Sequence, residues 1–345
     1  MHVHFVDARF PFRSSTPHVL TLGMFDGVHV GHAALLRRAV RAAEERGWEP
    51  AVVTFTPHPR AVLGDPAFLR MLTPLRERLA LFRSLGLRRA YVLHYTPEFS
   101  RISADEFRDV WLPSLGARHV VLGEDFRYGA ERRGDEEHLR AATAFTVEVV
   151  PSVPEAGVGM RTGGDGVSAS SAAPLVATEV PKVSSRRVRA LLAAGEVAEA
   201  ARLLKRPYAL EGVVVPGEGR GRRLGFPTAN LLVVEPYVFP RRGVYAAWAE
   251  LWEVRARAQV GAPAGRDARE ICRIPAVVNV GVRPTVDGGR ERVEAHLLDF
   301  SGELYGTRLR LEFVAYLREE RRFPNLSVLA EQIAQDVAFA RKHFV

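Results

Sequence analysis

His18-Val-Leu-Thr-Leu22 runs directly into Gly23-Met-Phe25-Asp26-Gly-Val-His29-Val-Gly31-His32, and this junction decides how the first half of the chain is read. Five mostly aliphatic residues stopped by Gly23 predict a short buried strand. Beyond the loop, Ala33, Leu36, Ala39, Val40 and Ala43 recur at helical spacing until Gly47, so the loop opens an amphipathic helix. The alternation continues: residues 51–55, 91–93, 119–122 and 147–150 read as strands, and 74–85 and 104–112 as helices. Strands alternating with helices predict βαβ units on a parallel sheet, so the expected fold of this half is α/β and Rossmann-like.

The loop itself carries a chemical suggestion. A helix amino terminus offers unpaired N–H groups and the positive end of the helix dipole, which suits phosphate. His29 and His32 are three residues apart, so both rings face one ligand and can donate hydrogen bonds as charge develops on it. Gly31 between them leaves room for a nucleotide to approach the backbone. Two surface histidines in a Gly-rich turn would spell the same letters. The position after the first strand of an α/β domain favours the phosphate reading.

Residues 154–177 are rich in Gly, Ser and Ala and predict a mobile loop with little to bury. Helical stretches at 185–194 and 196–204 follow, and Lys205-Arg206-Pro207 ends them, which sets the expected domains at 1–206 and 207–345. From Tyr208 onward the pattern is strands and turns: 209–215, 244–254, 276–280, 292–298 and 308–317. This predicts a small antiparallel β-barrel. Residues 258–273 read as an extended hairpin loop, and apolar Leu329, Ile333, Val337 and Phe339 predict a carboxy-terminal helix over 327–343.

Composition narrows the partners. A chain of 345 residues is long enough for two domains, and it contains one cysteine, Cys272. That excludes an internal disulfide and a multi-cysteine metal site, and suits the cytoplasm. No apolar run reaches the roughly 20 residues of a membrane span, and no secretory signal is evident. The net charge of +8 asks for an anionic partner. Its arginines are scattered, and no helix-turn-helix, zinc-finger or aromatic RNA platform is present, so small phosphate ligands are expected and nucleic acid is not. The sequence assigns no oligomeric state.

In the second half, Gly217, Gly219, Gly221 and Gly225 precede Phe-Pro227-Thr228-Ala-Asn230. Alternating glycines expose backbone N–H groups that nest phosphates, although the same glycines also spell a flexible hairpin. The Lys-Ser/Thr ending of a Walker loop is absent. Thr228 and Asn230 lie two apart on one strand face and offer hard oxygen donors to Mg²⁺ on ATP. Glu294 and His296 likewise share a face, opposite Val293, Ala295 and Leu297. At a barrel mouth Glu294 suits the general base of a phosphoryl transfer; on an outer wall it would be only a solvated carboxylate.

These segments resemble, in order, the prokaryotic bifunctional riboflavin kinase/FAD synthetase family. The loop through His29 and His32 is similar to its G-x-F-D-G-V-H-x-G-H form of the nucleotidyltransferase signature. Thr54-Phe-Thr-Pro-His58-Pro59 resembles its T-F-x-P-H-P stretch. Gly123-Glu-Asp125-Phe126-Arg127-Tyr-Gly129 resembles its flavin- and nucleotide-binding loop, and Val183-Ser184-Ser185-Arg186-Arg187-Val188-Arg189 its I-S-S-T-x-I-R motif. In the second half Gly221–Leu231, Gly243-Val-Tyr245, Asn279–Thr285 and Glu294–Phe300 match the kinase domain.

The resemblance implies a nucleotidyltransferase-type domain followed by a kinase barrel. Riboflavin would be phosphorylated to FMN and FMN adenylylated to FAD, with ATP as co-substrate and Mg²⁺ as cofactor. It implies ATP contacts from Gly23, Phe25, Asp26, Gly31, Ser184, Ser185 and Arg189, and flavin or nucleotide contacts from His58, Asp125, Phe126 and Arg127. In the barrel, Gly217, Gly219, Gly221, Gly225, Pro227, Thr228 and Asn230 would bind ATP, with Thr228 and Asn230 on the metal and Glu294 as base. One position departs from the pattern. Arg186 stands where the family usually has threonine, either supplying a charged fork to phosphate or pointing to solvent. The alternative reading is therefore a riboflavin kinase whose adenylyltransferase activity is weak or absent.

Overall fold

The computed structural model describes residues 1–7, 12–158, 181–217, 219, 221, 224–252, 272–283 and 290–344. Their contacts divide the chain into two compact units, Met1–Ser185 and Arg186–Val345.

The first unit is built on a six-stranded parallel sheet in the order β1-β4-β3-β2-β5-β6. The strands are β1 His2–Val6, β2 His18–Leu22, β3 Glu49–Thr56, β4 Arg89–His94, β5 Ala117–Gly123 and β6 Thr146–Val150. Every residue of β2 is buried, because helices cover both faces of a parallel sheet. On one face, Leu35, Leu36, Ala39 and Ala43 of helix α1 (Val30–Arg46) pack on Val19, Val52 and Val121. On the other, Leu20, Leu22, Val53 and Leu122 meet Phe107 and Trp111. Helix α1 ends where the periodicity predicts: Gly47 takes the left-handed conformation, φ 65°, and Trp48 N–H bonds back to the Ala43 carbonyl. The edge strand β1 was not expected. Of its five residues only Val6 is buried, so it carries almost no hydrophobic signal.

Helix α2 (Ser185–Ala194) begins on the last residue of the first unit; it and α3 (Val197–Leu204) precede a closed barrel of order β10-β11-β8-β7-β12-β9. Its strands are β7 Tyr208–Val215, β8 Ala229–Leu232, β9 Gly243–Trp252, β10 Cys272–Arg283, β11 Arg290–Leu297 and β12 Arg308–Arg318. All pairings are antiparallel. Helix α4, Leu326–Arg341, closes the chain and packs Val337 and Ala340 against Val244, Ala246 and Val277. A bidentate pair fastens it, with Arg318 donating to both oxygens of buried Asp336 at 2.8 and 2.6 Å.

Most of the loop expected at 154–177 lies outside the described residues; Pro154 itself bridges to Lys182. The same holds for the hairpin loop expected at 258–273, except that Cys272 and Arg273 already belong to β10, which corrects that boundary. Among the described residues no helix is long and apolar enough to cross a membrane.

Candidate active sites

Each unit carries a cavity where distant motifs meet. In the parallel sheet, β2 lies between β3 and β5, so the strand order switches sides at β2 and leaves a crevice beyond its carboxyl end. A cavity of about 410 Å³ sits there. Gly23, Phe25, Asp26, His29, Gly31 and His32 line it from the first loop, His58 from beyond β3, Asp125 and Phe126 from beyond β5, and Ser184 and Ser185 from the end of this unit. Arg127 is not on that wall; it is exposed and turns back to the Phe126 carbonyl. Arg189 and the exposed Arg186 lie on α2 within the second unit.

The loop is tightly wound. Phe25 and Val28 have φ of 52° and 42°, a left-handed geometry that costs non-glycine residues energy and that the surroundings must hold in place. They do so through Asp26, whose carboxylate accepts from Thr73 N–H at 3.1 Å and whose carbonyl accepts from the Ser185 hydroxyl at 2.7 Å. Gly27 N–H donates to the Thr73 hydroxyl at 2.8 Å. Gly31 lines the cavity and also packs closely on His29. A Cβ there would meet the His29 ring at 3.3 Å.

His29 caps α1, its Nδ1 accepting from His32 N–H at 3.3 Å, which leaves the ring proton on Nε2 as a donor. The two rings stack at 3.6 Å. Burial, then His29 and Arg78, hold the His32 pKa well below its usual value, so His32 is neutral at neutral pH. Both histidines therefore act as hydrogen-bond donors or acceptors in this state. Beneath the loop lies Arg78, 1% exposed, donating to the carbonyls of Met24 at 2.7 Å and Phe55 at 3.1 Å. Burial pushes its pKa down to about 10, so it stays charged. Sequence reading missed Arg78 and Thr73; the only available signal was an arginine four residues before the buried Phe82 on one helix face. Lys182, also missed, bonds Glu124 at 2.7 Å and Asp125 at 3.4 Å at the cavity's rim, and holds Glu124 down to about 2.

A larger cavity, about 690 Å³, lies between the outward face of the barrel strands and α4 rather than inside the barrel. Gly219, Gly221, Thr228, Asn279, Arg292, Glu294 and His296 line it together with apolar Val244, Val277, Leu329 and Ile333. Strand β11 alternates as expected: Val293, Ala295 and Leu297 are buried in the barrel, while Glu294 and His296 face the cavity. Asn230 on β8 and Asn279 on β10 sit directly across from Glu294 on either side. The glycines are required by contact. A Cβ on Gly217 would lie 2.0 Å from the Asn230 amide nitrogen, and one on Gly221 would lie 2.3 Å from the Phe226 carbonyl and 3.1 Å from the Thr228 hydroxyl. Gly225 has φ 83°. Gly217, Gly225, Pro227 and Asn230 stand behind the cavity wall; Pro227 anchors His296 through a 2.8 Å bond to Nδ1. Glu218, Arg220, Arg222 and Arg223 lie outside the described residues.

A cavity with two stacked histidines at a helix terminus and another with a carboxylate among glycines and amides are both suited to phosphate chemistry, and comparison with known proteins agrees. Residues 12–161 match the family model of FAD synthetase, and residues 204–344 that of riboflavin kinase. Bifunctional riboflavin kinase/FMN adenylyltransferases of Bacillus subtilis and Escherichia coli are 33% and 34% identical over 330 residues, covering 94% of this chain and 92% of each relative. The Pseudomonas fluorescens enzyme of the same name is 36% identical over 328 residues, with the same shares of both chains covered. A crystal structure described as a macrolide-efflux protein from Streptococcus pneumoniae superposes with a TM-score of 0.81 at 26% identity, covering 99% of both chains. The chain belongs to the family of bifunctional riboflavin kinase/FMN adenylyltransferases.

Proposed function

We propose that residues 207–345 phosphorylate riboflavin in the cavity between the barrel and α4 and that residues 1–206 adenylylate the resulting FMN in the crevice beyond β2. The protein makes FAD in two ATP-dependent steps, as its family does. In the first, Glu294 takes the proton of the ribityl 5′-hydroxyl as its oxygen attacks the γ-phosphorus; the bond to the β-phosphate oxygen breaks and ADP leaves. In the second, a phosphate oxygen of FMN attacks the α-phosphorus of another ATP, and the bond to the β-phosphate oxygen breaks to release pyrophosphate. His29, His32 and Arg189 stabilise the charge, with Ser184 and Ser185 on the phosphates and Asp125, Phe126 and His58 around the flavin. Neither step needs a covalent intermediate, so catalysis is positioning plus electrostatics.

The Thr228 hydroxyl, which lines the cavity, and the Asn230 carbonyl on the strand paired with Glu294 are hard oxygen donors of the kind Mg²⁺ takes. Mg²⁺ held there with ATP phosphates would neutralise charge on the transferring phosphoryl group. A cytoplasmic location suits a chain with one cysteine.

The observation that carries the reading is the convergence of Gly221, Thr228, Asn279 and Glu294, from separate strands and loops, on one cavity. Assaying the two half-reactions separately tests it. Glu294→Gln is expected to stop FMN formation and spare FMN-to-FAD conversion, and His29→Ala to do the reverse. Loss of the same step in both variants would refute the assignment.

A further inference from the structure

Glu294 has four close neighbours on its face of the barrel: Asn279 and Asn230 across the strands, and Arg292 and His296 two residues away along β11. Three of them are engaged elsewhere. His296 is turned to the Pro227 carbonyl, the Asn279 amide donates to Glu320 at 3.1 Å, and the Asn230 amide lies against Gly217. Arg292 differs: its Nη2 donates to Glu294 Oε1, and both side chains line the 690 Å³ cavity beside Gly219, Gly221 and Thr228. Both side chains face the cavity beside α4, at 32% exposure for Arg292 and 19% for Glu294.

We infer that Arg292 is a positioning residue of the phosphoryl-transfer site, an inference that rests on the reading of Glu294 as the base. Residues two apart on a strand are separated by roughly 6.6 Å, a distance the long arginine side chain spans. Its planar guanidinium holds one carboxylate oxygen by a charge-assisted bond and so restricts the rotamer of Glu294. Oε2 is left to receive the hydroxyl proton. The same cation offsets the repulsion between the carboxylate and the incoming ATP phosphates. When the hydroxyl oxygen bonds to the γ-phosphorus, the proton passes to Glu294 and ADP departs with the electron pair of the broken P–O bond. The guanidinium then no longer faces an anionic carboxylate, and its charge is available to the new phosphate ester.

The test uses the full-length enzyme, with FMN adenylylation and the thermal midpoint as folding controls. Arg292→Ala is expected to lower kcat for riboflavin phosphorylation about 10²-fold, with adenylylation retained. Arg292→Lys should recover part of the loss, and guanidinium ion should stimulate the Ala variant but not the Lys variant. In a Glu294→Gln background, Arg292→Ala should cost little more, because the group it positions no longer acts as a base. Unchanged kcat in Arg292→Ala, a change confined to the KM for ATP, or a full additional loss in the Glu294→Gln background would overturn the inference alone. Phosphorylation that survives Glu294→Gln would instead overturn the base assignment and this inference with it.

Discussion

Replacing Arg78 by methionine separates what the buried guanidinium does for the fold from what it does for the adenylyltransferase site. The substitution keeps a long side chain and removes two bonds, to Met24 O at 2.7 Å and Phe55 O at 3.1 Å. A buried carbonyl losing its partner costs about 1–3 kcal/mol. Met24 O keeps the Thr54 hydroxyl at 3.2 Å, so the gross loss falls at about 2–4 kcal/mol for the pair. Against this stands the cost of burying the charge. A pKa pushed from 12.5 down to about 10 corresponds, at about 1.4 kcal/mol per unit, to roughly 3 kcal/mol against the charged form. The two nearly cancel. Arg78→Met is expected to destabilise the first unit by less than about 2 kcal/mol, a shift of roughly 4–8 °C in its thermal midpoint. Adenylylation of FMN should fall further, about 10–10²-fold, because the Met24–Asp26 turn under His29 and His32 loses its anchor while the other donors remain. Riboflavin phosphorylation is unaffected. Denaturant unfolding and the two half-reaction assays measure all three quantities. A stability loss beyond about 5 kcal/mol would refute the cancellation, and undiminished adenylylation would refute the anchoring role.

Burial is the largest cause lowering the pKa of His4, His18, His32 and His119 below 6.5. Above that pH both folded and unfolded forms are neutral; below it the unfolded chain binds protons that the folded chain resists. Stability of the first unit should therefore fall as pH drops from 7.5 to 5.5, by up to about 1.4 kcal/mol per pH unit for each histidine, and a thermal midpoint that ignores pH over this window would contradict it. Gly217→Ala places a methyl 2.0 Å from the Asn230 amide. It should displace Asn230 and raise the KM for Mg-ATP in phosphorylation without altering adenylylation, as initial-rate kinetics would show; an unchanged KM would mean that Asn230 does not serve the nucleotide.

Local pattern carried a large part of the fold. The strand-to-helix switch at Gly23, the stop at Gly47 and the alternation of Glu294 and His296 with Val293, Ala295 and Leu297 all depend on periods of 3.6 or 2 that a sequence displays directly. The weakly patterned β1, buried only at Val6, does not show there because its hydrogen bonds to β4 hold it more than its side chains do. The site divides the same way. Several motif-loop residues meet on the two cavities, whereas Arg127, expected to contact flavin or nucleotide, lies off the cavity wall with its guanidinium on the Phe126 carbonyl.

The amino-acid order by itself determined the two-domain plan and the residues at the ends of its strands, since propensity, capping and alternation act within a few positions. Tertiary structure alone decided what each motif meets. The crevice beyond β2 brings His29, His58, Asp125 and Ser184 onto one cavity, and barrel closure sets Glu294 between Asn230 and Asn279. It also set Arg78 beneath the loop and Arg292 upon the carboxylate. Such contacts depend on sheet order and on the burial of charge, and both are properties of the packed chain: a guanidinium has its lowered pKa, or its partner, only once distant strands have closed around it.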